Sequence, residues 1–227
     1  MATYLREFGK TLLAPLIALA LVTFAVGKAV LALGLSSAES GLMRDLAAAR
    51  NGDLNALSDL GSSLSDTPYI VAGTAILAIV FRLVFKRWLE SLFLIAAVWS
   101  QSLVFLATTQ LVGRDRPPVE HLDPAPPTSS WPSGHVSAAV CFYAGVAIVL
   151  TLHTRRSLHA LWWVLAVAAT LAVALSRLYR GMHFFSDVLG GVVLGTVCLV
   201  VATRAVLLRR ERARRRPSPV PARAPSP

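Results

Sequence analysis

Two cysteines in 227 residues, Cys141 and Cys198, both set inside apolar runs, exclude a disulfide framework and offer no metal-ligand spacing. Both read as small core residues. Charge is scarce as well: Asp, Glu, Lys and Arg make up 15% of the chain, against the roughly 25% of an ordinary soluble domain. Acidic residues are the scarcer sign, 12 against 22 basic ones, for a formal net charge of +10. That charge comes without an aromatic-interleaved basic platform and sits at the ends of apolar runs and in the C-terminal tail, which argues against a nucleic-acid partner. Runs of alternating polar and apolar residues are also missing, and with them the signature of a membrane β-barrel.

What fills the chain instead is hydrocarbon. Hydrophobic residues account for 55%, and they fall in six blocks at 11–35, 67–85, 88–112, 135–153, 158–176 and 184–208. Each approaches the roughly 20 residues needed to cross a bilayer. Because backbone polar groups in lipid must be satisfied within the segment, continuous Leu/Val/Ala blocks predict helices. The expected fold is all-α and polytopic, with six transmembrane helices over 11–208, a short cytoplasmic N-terminus (1–10) and a disordered basic cytoplasmic tail (209–227). The first block follows a basic N-terminus but is long enough to be a retained span and not a cleaved signal. Between the first two blocks, Leu54, Leu57, Leu60 and Leu64 recur at helical spacing among Asp53, Asp59 and Asp66. Residues 36–66 are therefore expected to form an extracytoplasmic amphipathic segment, lying on the membrane, packing on its neighbours or acting as a lid.

Six crossings place fifteen lysines and arginines on one side and six on the other, with Lys28 inside the first block. The positive-inside rule then puts both termini in the cytoplasm of a plasma-membrane protein. Four of the six outside arginines cluster in two short stretches, "GRDRPP" and "SRLYRGMH". Cations kept on the disfavoured side of a membrane point to an anionic partner.

Three polar stretches share that outer face: "GRDRPP" after the third block, "WPSGH" opening the fourth, and "SRLYRGMHFFSD" joining the fifth to the sixth. Ser133 is placed to cap the fourth helix, with Pro132 a rigid lead-in, so the Ser133 and Gly134 amides are expected at its positive end, where an anion can bind close to the backbone. His183 and Asp187 lie four apart on one helix face, so the carboxylate is placed to orient the imidazole. Trp131 is expected in the interfacial aromatic belt, and Gly191 and Gly195 form a small-xxx-small packing step. Each feature alone has a plain structural explanation. Two histidines, an aligned carboxylate, a helix-end anion nest and several arginines on one face do not have a joint one.

These residues carry a resemblance. Arg116–Pro117, Pro132 to His135 and Ser176 to Asp187 resemble the three-part signature of the type 2 phosphatidic acid phosphatase superfamily, matching in full its spacing of Ser-Arg, five residues, His, three residues, Asp. The resemblance implies an acid-phosphatase-like helical core and a phosphatase needing no metal and no cofactor. Its substrate would be a lipid phosphate drawn from the bilayer, and its intermediate a phosphohistidine. It implies His183 as nucleophile, Asp187 as its orienting partner and His135 as general acid. Arg116 and Arg177, with Ser133 and the Gly134 amide, would hold the phosphoryl oxygens. One departure stands out: Thr109 occupies the position where the family has a lysine, and Arg114 or Arg180 is the expected substitute cation. Polyprenyl pyrophosphate, phosphatidate and phosphatidylglycerol phosphate all remain open as substrates. So do a phosphotransferase, a transporter and an inactive lipid-phosphate binder, and the oligomeric state is open too.

Overall fold

The computed structural model describes residues 9–208, so the expectations for the extreme N-terminus and for the tail at 209–227 lie outside the described residues. Six helices are long and apolar enough to cross a membrane: α1 (Lys10–Ala32), α4 (Thr67–Phe85), α5 (Leu89–Val112), α6 (Gly134–His153), α7 (Arg156–Tyr179) and α8 (Phe185–Leu208). Two shorter helices, α2 (Leu35–Ala48) and α3 (Gly52–Ser63), fill the interval between α1 and α4. The first apolar block stops at Ala32 because Gly34 takes a left-handed φ of 66° and turns the chain into α2.

The core sits where α5, α6 and α8 meet, built from Phe93, Leu94 and Ala97 of α5, Cys141 and Val149 of α6, and Leu194, Cys198 and Ala202 of α8. Gly191 and Gly195 make this contact close. A Cβ added at Gly191 would lie 2.6 Å from the Ser133 carbonyl oxygen, and one at Gly195 would lie 2.7 Å from that of Ser137, so the small-xxx-small step is a packing device. Helix α7 closes a second cluster around Val136, Val173, Phe184 and Val188. Helix α1 lies on α5 and α8, whereas α4 rests mainly on α5 and leaves a groove beside it. The outward faces remain apolar: Leu21, Ile79, Val164 and Val193 are each about 60% exposed, as a lipid-facing surface requires.

The stretch at 36–66 holds two helices where the leucine pattern pointed to one. Leu57 and Leu60 are more than 60% exposed, so the apolar stripe of α3 faces away from the protein while Ser58, Gly61 and Ser62 pack on α7. Small residues allow that approach, since a Cβ on Gly61 would meet the Ser176 hydroxyl at 2.2 Å. Arg50, between the two helices, donates to the Tyr179 carbonyl at the C-terminal end of α7 and to that of Glu120. Trp131 is not at an interface: it is 4% exposed, wedged against Gly27 and Gly190, and its indole donates to the Thr23 carbonyl at 3.0 Å. At the far end of the bundle Glu90 is buried between Arg87 and His153, tying the α4–α5 turn to the end of α6.

Candidate active site

The three polar stretches converge on one cavity of about 1090 Å³. Arg116, Gly134, His135, Arg177 and His183 line its polar end, together with Asp66 and Asp123, and an apolar groove between α4 and α5 forms the rest, through residues such as Ile70, Val71, Val98, Leu103 and Leu106.

His183 sits in the α7–α8 turn and is 3% exposed. Its Nδ1 lies 2.8 Å from the Ser130 carbonyl. A carbonyl can only accept, so Nδ1 carries the proton and Nε2 keeps its lone pair. Burial first, then the charges of Arg177, Arg116 and His135, push this imidazole well below its ordinary value, so it is neutral at physiological pH. The turn that presents it needs Gly181, whose φ is 74° and whose missing side chain gives room to Val119 and Glu120.

The expected His183–Asp187 hydrogen bond is not formed. Nδ1 is 3.9 Å from the carboxylate, because Asp187 instead accepts from Arg114 at 2.5 Å and from the Phe184 amide at 2.9 Å. The Asp187 carbonyl also accepts from the Ser133 amide at 3.0 Å, joining the head of α6 to that of α8. The same bond removes the Ser133 amide from the anticipated anion nest. The Ser133 hydroxyl stands at the N-cap position but makes no capping bond, and it is buried without a hydrogen-bond partner. A Cβ at Gly134 would lie 2.7 Å from the tip of the Phe105 ring, which would have to shift to admit it.

The arginines divide into two sets. Arg114, expected as a phosphate ligand, is 1% exposed and fully engaged with Asp187, Glu39, Ser36 and Ser186. It also stacks on the Phe184 ring. It braces α2 and α8 against the loop, with four of its five N–H donors committed to protein partners. Arg116 and Arg177 do line the cavity, and the Nε of each is buried and unpartnered. Arg116 is anchored by one donation to the Met182 carbonyl at 2.7 Å. Arg177 is anchored through a single Nη to Asp123 at 2.6 Å and Ser62 at 2.9 Å. Burial opposes ionisation of Asp123, but hydrogen bonds and charge from Arg180 and Arg177 outweigh it and hold this carboxyl below its usual range. Arg180 is thereby occupied with Asp123 and Asp59, which removes it as a substitute for the missing lysine. Thr109 itself donates to the Ser129 carbonyl at 3.0 Å and supports the loop behind His183.

Sequence reasoning missed Glu39, Ser62, Asp66 and Asp123. All lie in loops or in the α2–α3 hairpin, outside the three stretches, and Asp66 entered the sequence reading only as part of the amphipathic segment. Only the fold brings them in.

A family profile described as PAP2 superfamily matches residues 70–211. Phosphatidylglycerophosphatase B of Bacillus subtilis (strain 168) is 41% identical over 68 residues, which is 29% of this chain and 34% of that protein. Human sphingosine-1-phosphate phosphatase 2 is 42% identical over 72 residues, 32% of this chain and 18% of that protein. The matched region thus spans about a third or less of these relatives' length. Among solved structures, the transmembrane PAP2-type phosphatidylglycerolphosphate phosphatase from Bacillus subtilis superposes with a TM-score of 0.76 at 23% identity, covering 88% of this chain and 98% of that one. Aquifex aeolicus LpxE gives 0.56 at 22% identity, covering 72% and 93%. At these identities the two structures establish the shared fold.

Proposed function

The chain belongs to the PAP2 superfamily, and from that premise we propose that it hydrolyses the phosphomonoester or pyrophosphate of a membrane lipid through a phosphohistidine. The observation that carries this reading is the orphaned polar set. Arg116 Nε, Arg177 Nε and the Ser133 hydroxyl are three of the four buried side-chain donors without a partner among the described residues, and the two arginines line the cavity together with the neutral His183 imidazole. Unpaired buried donors are costly, and a tetrahedral anion would satisfy them together.

In this mechanism Nε2 of His183 attacks phosphorus in line, forming a P–N bond as the P–O bond to the lipid breaks. His135, on the same cavity, gives its proton to the departing oxygen. Water then attacks the phosphohistidine, His135 takes back a proton, and the P–N bond breaks to release inorganic phosphate. Arg116 and Arg177 meet the charge on the equatorial oxygens, and their anchors keep them aimed before substrate arrives. The Ser130 carbonyl stabilises the positive charge that develops on His183, while Asp187 acts by holding the α6–α8 junction together. The chain's own residues supply every step, so the reaction is expected to need no metal.

The groove between α4 and α5 supports a lipid substrate, since it can hold a hydrocarbon tail while the headgroup reaches the cradle. The named relatives act on phosphatidylglycerophosphate and sphingosine-1-phosphate, both lipid monophosphates, and phosphatidate and polyprenyl pyrophosphate share the same chemistry. The basic-residue asymmetry supports an extracytoplasmic site in a plasma-membrane protein with cytoplasmic termini. A reporter placed after Leu208 checks that orientation.

The decisive experiment measures phosphate release from a panel of lipid phosphates by purified protein in chelator, comparing wild type with His183→Ala. A loss on the order of a thousandfold or more is expected, with acid-quenched wild type retaining labelled phosphohistidine. Equal rates in the two proteins would remove His183 from the chemistry.

A further inference from the structure

We propose that Asp66 is a positioning residue for the leaving-group acid: its carboxylate orients the His135 ring and supports the imidazolium form that protonates the departing oxygen. The proposal rests on the phosphatase reading above and adds a residue that lies outside both the three stretches and the matched region.

Asp66 occupies the N-cap position of α4, where an aspartate ordinarily accepts from the first free amides of its own helix. Here it makes no such bond. Its Oδ1 instead lies 3.1 Å from Nε2 of His135 on α6. The adjoining residues hold the same linker in place: the Ser65 hydroxyl donates to the His135 carbonyl at 2.6 Å, and the Tyr143 hydroxyl donates to the Leu64 carbonyl at 2.7 Å. Ser65 is 3% exposed. The linker between α3 and α4 is therefore fastened to α6 at three successive residues, and the only one of the three contacts that reaches a histidine ring comes from Asp66.

The electrostatic need is plain from the neighbours. His135 shares its cavity with Arg177 from α7, Arg116 from the α5–α6 loop and His183 from the α7–α8 turn. Each cation opposes a second positive charge on the ring. Two carboxylates face it from the other elements. Asp123 is engaged by Arg177 and Arg180, which leaves Asp66 as the carboxylate in direct contact. Asp66 is also 42% exposed at its side chain, so it stays in touch with water while gripping a ring set deeper in the bundle.

The test compares wild type, Asp66→Asn and Asp66→Glu on two substrates: a lipid phosphate, whose alkoxide needs a proton to leave, and a nitrophenyl phosphate, whose leaving group does not. In Asp66→Asn, kcat on the lipid phosphate is expected to fall by about tenfold or more, part of the whole contribution of a general acid. The loss on the aryl phosphate stays within about threefold, KM changes little, and the alkaline limb of the lipid pH profile moves down by about one pH unit, the low end for a partly exposed partner. Asp66→Glu recovers most of the loss. Equal losses on both substrates with an unmoved pH profile would make Asp66 a structural residue only, as would full activity in Asp66→Asn. A second readout needs no turnover: the midpoint of the His135 ring titration, followed by NMR of labelled histidine and assigned with His135→Ala, is expected to drop in Asp66→Asn. An unchanged midpoint overturns the proposal. A wild type that releases phosphate from neither substrate, yet shows the shifted midpoint, would refute the phosphatase reading and leave the Asp66–His135 coupling standing.

Discussion

Replacing Gly191 with alanine tests whether the α6–α8 contact sets the geometry of catalysis or merely holds the bundle together. The new methyl group would lie 2.6 Å from the Ser133 carbonyl oxygen, 3.2 Å from Cβ of Val136 and 3.3 Å from Cβ of Ser133. None of these is the far end of a flexible side chain, so the head of α6 must retreat by about 0.8 Å to reach ordinary contact. That head carries Ser133, Gly134 and His135, and it is tied to α8 through the Ser133 amide and the Asp187 carbonyl. Overpacking of this kind costs about 1–3 kcal/mol of stability, and a displacement approaching 1 Å of a positioned group can cost about a hundredfold in rate. Gly195→Ala is the matched control: its methyl group would press on the Ser137 carbonyl at 2.7 Å and on Val140, one turn further from the cavity. Thermal unfolding in detergent should show similar losses for the two variants. Phosphate release should separate them, with kcat about a hundredfold down for Gly191→Ala and within about tenfold of wild type for Gly195→Ala. A folded Gly191→Ala protein with kcat within about threefold of wild type would refute the idea that backbone contact at this point aligns the site.

Two further outcomes follow from the division of the arginines and from the state of His183. Arg114→Met leaves Asp187 and Glu39 without their buried partner and should cost about 3–5 kcal/mol of stability, read as a lowered unfolding midpoint. Arg116→Met should leave the midpoint near that of wild type and raise KM by tenfold or more, a lost charged hydrogen bond of about 1.5–3 kcal/mol, and the opposite pattern would reverse the two assignments. The pH profile should be bell-shaped, with opposite requirements on its two sides. His183 must be neutral to attack and its pKa is depressed, so activity should persist as pH falls through the ordinary histidine value of about 6.5 and be lost only well below it. The alkaline limb reports loss of the proton on His135. An acid limb centred at the ordinary value would contradict the buried, cation-flanked setting of His183.

The six spans were legible because hydrophobic length is a local property: in a bilayer each helix satisfies its own backbone, so no partner is needed to define it. The three stretches that meet at the cavity were legible too, since each lies at a helix end on one face, and topology alone gathers helix ends. The sequence also marked Gly191 and Gly195 as a packing step on α8, and the fold decided that α6 is the helix that meets it. Only the tertiary structure decided which polar groups actually pair. Arg114 looked like a substrate ligand by its position two residues before Arg116, but burial beside Asp187 and Glu39 committed its charge to the protein. Asp187 stood at the right helical spacing from His183, yet the Ser130 carbonyl, 53 residues away in sequence, reached Nδ1 first. Asp66 and Asp123 carried no spacing signal, because a loop carboxylate finds its cation through the fold and not through periodicity. Hydrogen bonds and ion pairs depend on distances of a few tenths of an ångström between residues far apart in the chain, and those distances exist only once the helices are packed.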